Sequence, residues 1–409
     1  MIFAAIMGYG VVGSGVFELL ESNTQTKLSR QVKVKRVLDL RAFSGDKVET
    51  CLTHSPDDIL NDDTISIVVE VMGGLNPAYA YTKRALQRGK SVVTSNKELV
   101  SVHGSELLNI ARANGVRYLF EASVGGGVPV IRALRHTLLC EDVYQIAGIL
   151  NGTTNYILSE MNSLDLPFAE ILKQAQEKGF AEREPSADIE GFDAARKLSI
   201  LLSLSCGKYV NYSKIPTEGI SRLSADDFAV ARSYDSVIRL IAKAEIKDGV
   251  VEAIVAPMLV QEGTSMFAGV KDVYNAIMIT STATDNHMFY GRGAGKMPTA
   301  GAIAGDIAEI LSGHEDDLKW SPDEAIMADP MDIVSSRVLR LSGHVTDKTI
   351  STLENICGSQ PSVIHSPTKG QSVYILPPIK EREFLYLVNT IQSDKGVKIE
   401  STQRVFADR

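Results

Sequence analysis

Through the first third of the chain, short apolar runs ending in glycine or a polar residue alternate with segments whose apolar positions recur at helical spacing. That rhythm predicts a parallel sheet flanked by helices. Ile2–Met7 reads as a strand, and Val16–Leu20 starts a helical pattern. A polar insert, Ser22–Gln31, separates it from a second strand, Val32–Leu40. Ile65–Val71 is apolar almost throughout, as expected of a strand covered on both faces. A helix from Pro77 to Leu86, a strand Ser91–Thr94, a helix Gly104–Asn114 and a strand Arg117–Phe120 complete this part.

Beyond Phe120 the rhythm loosens. A helix Val130–Leu139 leads to a strand Ile146–Leu150, a helix through Met161, and a helix Phe168–Glu177 closed by Lys178-Gly179. Val250–Val260 alternates but contains Pro257, which has no amide hydrogen for a ladder, so an edge strand or a bend is expected. Phe267–Ile279 predicts paired strands, Met288–Gly291 another strand, and Ala302–Leu311 a helix. His314–Pro330 is polar and reads as a linker. The rest gives a strand Val338–Leu341, a helix Thr349–Cys357, a strand Ser372–Leu376, a helix Glu381–Ser393 and a strand Val397–Phe406. That order suits a ferredoxin-like βαββαβ module with one strand not visible.

The stretch Glu182–Lys197 combines these signals with chemistry. From about Glu190 the pattern is helical as far as Cys206-Gly207, and Asp188 is expected to cap it. Asp193 and Lys197 stand four apart and share a face. Ile200, Leu201 and Leu204 continue that face, which places Lys197 on the stripe that buries. Arg196, Ser199 and Ser203 fall on the neighbouring stripe, expected to be wet. A lysine on a burying stripe needs a partner or a function. The structural alternative is an Asp–Lys pair whose lysine stem packs along apolar surface.

At 409 residues, 44% apolar and 22% charged, the chain can build two or three domains with sizeable cores. A net charge of -8 without a basic run argues against a nucleic-acid partner. Met1–Met7 lacks a basic flank and runs into glycines, so a strand is expected there and not a signal peptide. No apolar run has the length of a membrane span. Cys51, Cys140, Cys206 and Cys357 show no CxxC spacing and are expected to be reduced, without disulfide or zinc. The expectation is a cytoplasmic protein.

Gly8-Tyr9-Gly10-Val11-Val12-Gly13 lies between a strand and a helix. In G-x-G-x-x-G the glycines allow a tight turn, close approach of a pyrophosphate and close helix–strand packing. The helix start adds amides and a positive dipole end. Asp39, at the end of the second strand, suits a ribose hydroxyl and so NAD; Arg41 suits a 2′-phosphate and so NADP. Thr94, Asn96 and Lys97 lie at the carboxyl end of a strand, where ligands of such sheets bind. Glu121-Ala122-Ser123-Val124-Gly125-Gly126-Gly127-Val128-Pro129 is either a hinge or a loop able to ring a hard cation with oxygens. Asn151-Gly152-Thr153-Thr154-Asn155-Tyr156 either caps a helix or binds polar ends of a ligand. Gly293-Ala294-Gly295 precedes a further helix. His287 and His314 are lone histidines, read as structural.

Taken with Gly179-Phe180-Ala181-Glu182, Asp188-Ile189-Glu190-Gly191-Phe192-Asp193 plus Lys197, and Pro298-Thr299-Ala300, these motifs resemble the homoserine dehydrogenase family over residues 1 to about 312. The resemblance implies an α/β fold in parts: a Rossmann domain at 1–130, completed by about 298–315, a substrate-binding and dimerisation domain at 131–297, a linker at 316–330, and an ACT-like module at 331–409. It implies NADP- or NAD-dependent interconversion of aspartate 4-semialdehyde and homoserine, in threonine and methionine biosynthesis, by a homodimer or homotetramer. Lys197 matches the acid/base lysine, and Lys97 a lysine near the reacting groups and cofactor. Glu182 matches the acid that binds the substrate ammonium, with Asp188, Asp193, Gly152 and Thr153 lining the same site. Gly8, Gly10, Val11, Val12, Gly13, Asp39, Arg41, Thr94, Lys97 and Gly295 fall to the cofactor. Glu121, Val124, Gly126 and Val128 match a loop holding a structural sodium or potassium ion.

The tail departs from the ACT pattern. His344-Val345-Thr346-Asp347-Lys348-Thr349 has neither the proline nor the glycine of the usual effector-binding turn, and inhibition by an amino acid such as threonine is a hypothesis on fold analogy. Two other readings compete. An acylating semialdehyde dehydrogenase needs an activated cysteine, for which Cys140 and Cys206 are poorly placed. A non-catalytic nicotinamide sensor with the tail as output has no need of Lys197 and Glu182.

Overall fold

The computed structural model describes residues 1–21, 28–138, 142–164, 166–313, 318–394 and 396–407. Cys140, His314 and most of the Ser22–Gln31 insert lie outside the described residues. The chain divides into two compact units: residues 1–146, 196–212 and 277–325, and residues 147–195, 213–276 and 326–409.

In the first unit, six parallel strands are β1 (Ile2–Met7), β2 (Val32–Leu38), β3 (Leu52–Thr53), β4 (Ile65–Glu70), β5 (Ser91–Thr94) and β6 (Tyr118–Leu119). Their order is β3-β2-β1-β4-β5-β6. The sheet is therefore doubly wound, and its order reverses beside β1, where such sheets open a ligand crevice. Ala4 and Ile6 of β1 pack with Val69 and Val93, and helices Val11–Leu20 and Lys296–Ser312 close over them through Val16, Leu20, Ile303 and Ile307. Burying each of the valine, leucine and isoleucine side chains contributes about 1.5–3 kcal/mol.

Three helices of this unit start earlier than the pattern predicts, and each start is marked by a polar or glycine cap. Val11–Leu20 follows Gly10, its first turns obscured by Gly13 and Gly15, which meet backbone and a neighbouring helix. Lys97–Ala113 begins at Asn96, whose Oδ1 accepts from the Leu99 amide at 3.1 Å. The predicted start, Gly104, is interior: a Cβ there would stand 2.3 Å from the Trp320 ring. Lys296–Ser312, expected from Ala302, follows Gly295 and carries Pro298 in its first turn, where a missing amide costs nothing. The expected helix Val130–Leu139 is a single α-turn, Val130–Arg132, followed by a wider turn to Thr137.

The second unit contains β7 (Ser236–Lys247), β8 (Val250–Gln261), β9 (Val334–Gly343), β10 (Ser362–Ile364), β11 (Gln371–Lys380) and β12 (Val397–Phe406). The pattern assigns nothing to residues 213–249, yet β7 pairs with the whole of β8 across an Asp248-Gly249 turn, both residues at positive φ, the sequence a tight hairpin demands. The order β7-β8-β12-β9-β11-β10 makes β8 an interior strand, and not the expected edge strand or bend. Pro257 is tolerated because of its register. Val255 bonds Pro216 and Glu218 on the side away from β7, and β12 pairs only from Met258 onward. Residues two apart point their amides the same way, so the missing hydrogen of Pro257 falls in the gap between those partners. Phe267 lies in a 3-10 turn, Met266–Gly269, and not in a paired strand; Ser265 caps that turn.

The tail is βαββαβ, with Ser362–Ile364 as the strand the pattern does not show. Leu339, Leu341, Leu353, Leu376, Phe384 and Leu387 form its core. Residues 321–327, expected as linker, hold two short strands, the second paired with Val250 and Val251 of β8. Among the described residues no helix is long and apolar enough to cross a membrane.

Candidate active site

The turn after β1 is shaped by close approach. Gly8 has φ +104°, and a Cβ there would meet the Val71 carbonyl at 2.9 Å. A Cβ on Gly13 would stand 1.9 Å from the Gly8 carbonyl oxygen. Gly10 faces open space and precedes the helix start, and Val11 is 66% exposed while Val12 is half-buried. Two glycines therefore pack the turn, and the third leaves room for a diphosphate against the helix amides. The residues present fit a dinucleotide.

Asp39 lies just past β2. Its Oδ2 accepts the Tyr9 amide at 2.8 Å, and its two oxygens accept Arg41 Nε at 3.0 Å and Nη2 at 2.9 Å. This pairing holds the Asp39 carboxyl well below the usual carboxylate range and raises Arg41. The Arg41 side chain is 61% exposed and lies over the Phe43 ring. The acid and the base predicted to compete for the cofactor ribose are thus one ion pair.

Thr94 does not face a ligand surface. It is fully buried, donates to Glu70 Oε2 at 2.7 Å and accepts the Asn96 amide at 2.9 Å. Asn96 Nδ2 donates to the Gly74 carbonyl at 2.7 Å. Glu70, at the end of β4, is fully buried, its pKa raised by burial, and its Oε1 accepts the Met72 amide at 2.9 Å. It ties the loops after β4 and β5 together. The signal for it in the sequence is an acid closing an otherwise apolar strand, Ile65–Glu70. Lys97, half-buried, occupies the first helical position after Asn96.

Lys197 is buried, 8% exposed, on the helix Phe192–Cys206. The neighbouring stripe is not wet as expected: Ser199 and Ser203 are buried, and Arg196 lies over Tyr212 with Glu98 at 3.6 Å. Apolar Leu198, Leu201 and Leu202 accompany them in burial, so this helix is enclosed on more than one face.

In the second unit Asn151 is a hub. Its Oδ1 accepts the Thr154 amide at 2.8 Å, which assigns the amide orientation, and its Nδ2 donates to Asp188 Oδ1 at 2.7 Å and Asp193 Oδ2 at 2.8 Å. The motif therefore caps a helix and organises carboxylates at once. Asp188 is not the cap predicted for the long helix. It lies inside a separate turn, Ser186–Ile189, and its carboxylate accepts from Asn151 instead. Gly152 leaves no room for a side chain, since a Cβ would meet the Val273 carbonyl at 2.8 Å. Thr153 Oγ1 donates to the Phe180 carbonyl at 2.8 Å, and Asn275 Nδ2 to the Leu150 carbonyl at 2.9 Å. Glu182 is exposed, its backbone carbonyl held by Gln176 at 3.1 Å.

Back in the first unit, Glu121 is buried, its pKa raised by burial, with its oxygens accepting the Ile131 and Arg132 amides at 2.9 and 2.7 Å. Its own amide donates to Asp306 at 3.0 Å, and Asp306 pairs with Arg132 at 2.9 Å. Burial and the Glu121 charge push Asp306 up to about 8. The Val124 and Val128 amides turn back onto Glu121 and Gly125 carbonyls within the loop, and Gly126 lies against Gly293. Both Glu121 carboxylate oxygens thus accept backbone amides, and the Val128 carbonyl accepts the Val130 amide at 2.9 Å. Gly295, with φ +119°, precedes the helix Lys296–Ser312. Cys51, Cys206 and Cys357 are free thiols whose pKa values burial raises, the opposite of what a nucleophilic cysteine needs.

Comparison with known proteins agrees with this chemistry. Residues 129–308 match the family model described as homoserine dehydrogenase, and residues 8–121 the model of its NAD-binding domain. A homoserine dehydrogenase of Bacillus subtilis is 34% identical, over 98% of this chain and 97% of the relative. The crystal structure of a homoserine dehydrogenase from Thiobacillus denitrificans superposes with a TM-score of 0.88 at 32% identity, covering 99% of this chain and 98% of that one. A hyperthermophilic archaeal homoserine dehydrogenase in complex with NADPH gives 0.64 at 25% identity, covering 78% and 99%.

Proposed function

Because the chain belongs to the homoserine dehydrogenase family, we propose that Lys197, Glu182, Asp188 and Asp193 carry its reaction. The activity is that of an NAD(P)-dependent oxidoreductase interconverting L-aspartate 4-semialdehyde and L-homoserine. The observation that carries the assignment of roles is Asn151, which fixes two carboxylates through one side-chain amide.

A bound nicotinamide cofactor supplies or accepts the hydride. The residues do the rest. When the aldehyde is reduced, negative charge develops on its oxygen, and the Lys197 ammonium stabilises that charge and delivers the proton; in the reverse direction its neutral amine removes it. Asp193, one turn earlier on the same helix, orients Lys197. Glu182 and Asp188 receive the substrate ammonium, and Lys97 adds positive potential beside the reacting groups. Gly8, Gly10 and Gly13 seat the cofactor diphosphate. The Asp39–Arg41 pair serves both cofactors, Asp39 toward a ribose hydroxyl and Arg41 toward a 2′-phosphate. Glu121 and the carbonyls of Val124, Gly126 and Val128 hold a structural sodium or potassium ion.

The tail reads as an ACT-like module. A cavity of about 750 Å³ lined by Thr346, Lys348, Thr349, Tyr386, Asn389 and Asp394 supports an amino-acid effector there. Assembly as a homodimer or homotetramer is part of the same reading and rests on the family alone. The deciding experiment is Lys197→Ala: kcat should fall by about 10²-fold or more with the thermal transition retained. Near-normal turnover in a folded variant contradicts the role.

A further inference from the structure

Arg404, on the last strand of the tail, is buried, and tail residues hold it. Its Nη1 donates to Ser335 Oγ at 3.0 Å and its Nη2 to Glu381 Oε2 at 2.9 Å. The same guanidinium reaches outside the tail, donating through Nε and Nη2 to Glu218 Oε1 at 3.1 and 2.7 Å. Glu218 itself is anchored, its amide donating to the Val255 carbonyl of β8 at 2.8 Å.

The residues after Glu218 lie on the turn that carries the substrate acids. The Ile220 amide donates to the Ile189 carbonyl at 2.8 Å, and Ser221 Oγ donates to the Glu190 carboxylate at 2.8 Å. Gly219 touches Glu190 so closely that a Cβ would stand 2.8 Å from the Glu190 Cα. On the other side, a Cβ at Gly191 would meet the Thr217 side chain at 2.8 Å. Residues 217–221 thus grip residues 189–191. That turn follows Asp188 directly and leads into Asp193, the two acids that Asn151 holds. Close-packed neighbours without voids pass displacement on instead of absorbing it.

We propose that Arg404 and Glu218 are a positioning pair, through which the tail sets the turn at residues 189–191 and with it the affinity of the site for the amino-acid substrate. The inference rests on the reading of Glu182, Asp188 and Asp193 as the substrate's acids. It makes the tail part of substrate recognition whether or not an effector occupies it. The pair touches neither substrate nor cofactor, so it acts on KM for homoserine and not on the chemical step.

The test uses the full-length enzyme. The Glu218 side chain is 48% exposed, so Glu218→Ala should fold. Its KM for homoserine should rise about five- to tenfold, inside the roughly 2- to 30-fold range of couplings carried by packed networks, with kcat and the cofactor KM within about twofold. Arg404→Lys, which keeps the charge and loses the fork, should give a smaller rise. Combined with Glu218→Ala it should add nothing, as residues acting as one unit do in a double-mutant cycle. The matched control is Asp226→Ala. Asp226 also bonds a buried tail arginine, Arg340, at 2.9 Å and is 45% exposed, but it belongs to a different segment of the chain. Its KM should not move. An equal rise in Glu218→Ala and Asp226→Ala means general loosening and overturns the proposal. So does an unchanged KM in Glu218→Ala while Glu182→Gln raises it. If Glu182→Gln also leaves KM unchanged, the substrate assignment itself fails, and the pair's role with it.

Discussion

Replacing Asn151 by serine separates its two jobs. A serine oxygen can still accept the Thr154 amide, so the helix keeps its cap at a cost of a few tenths of a kcal/mol. What disappears is the Nδ2 donor that meets Asp188 at 2.7 Å and Asp193 at 2.8 Å. Hydrogen bonds to charged groups contribute about 1.5–3 kcal/mol each. Asp188 is half-buried and can take up water, whereas Asp193 is 2% exposed and cannot do so easily. A net loss of about 2–3 kcal/mol in transition-state binding follows, or about 30- to 150-fold in kcat/KM for homoserine. The Tm should fall by less than about 6 °C, at about 1–2 °C per kcal/mol for a chain of 409 residues. Initial rates of nicotinamide reduction at varied homoserine, with a thermal melt on the same sample, measure both. Asn151→Asp sharpens the contrast, because it keeps the size and the cap but sets a third carboxylate against two others, and one of the three must take a proton. Its deficit relative to wild type should shrink as pH falls. An Asn151→Ser enzyme within twofold of wild type in kcat/KM refutes the reasoning.

Gly13→Ala should abolish cofactor binding and lower Tm, because its Cβ would stand 1.9 Å from the Gly8 carbonyl oxygen, whereas Gly10→Ala, with open space around it, should fold normally and raise only the cofactor KM; calorimetric titration with NADP⁺ reads both. Arg41→Ala should raise the KM for NADP⁺ by about tenfold, the loss of one charge-assisted contact, and leave that for NAD⁺ nearly unchanged. The Asp39 carboxyl is held below its ordinary value, so its contribution is fully present above the unfolded pKa of about 4 and lost only as pH falls through the lower folded value. The NAD⁺ KM of wild type should therefore show no acid limb from Asp39 down to about pH 4.5, while Arg41→Ala should develop one at higher pH than wild type.

The glycine motif and the parallel sheet were legible because local physics alone decides them: a turn that tolerates no Cβ, and strands apolar on both faces. The burial of Lys197 was legible from helical spacing. Helix starts were harder to read where glycines interrupt the period, as at Gly13 and Gly104. Asn151 stood inside a recognised motif, but its partners are 37 and 42 residues away, and spacing says nothing about contacts of that range. The buried arginines of the tail escaped for a similar reason. In Val338-Leu339-Arg340-Leu341 the alternation places Arg340 opposite Leu339 and Leu341, on a face that reads as solvated. Asp227 of a distant helix meets Arg340 there at 3.0 Å and buries it. Pro257 misled because its rule concerns one side of a strand, and only the register of β8 shows that the side in question has a gap.

The most direct measurement is the initial rate of homoserine-dependent reduction of NAD⁺ and of NADP⁺ by the purified protein in the presence of sodium or potassium, beside Lys197→Ala under the same conditions. A substantial rate in wild type that collapses in a folded Lys197→Ala variant is the predicted result. Absence of turnover with either cofactor in folded wild-type protein, or an undiminished rate in the variant, would contradict the assignment of Lys197 to the proton transfer of this reaction.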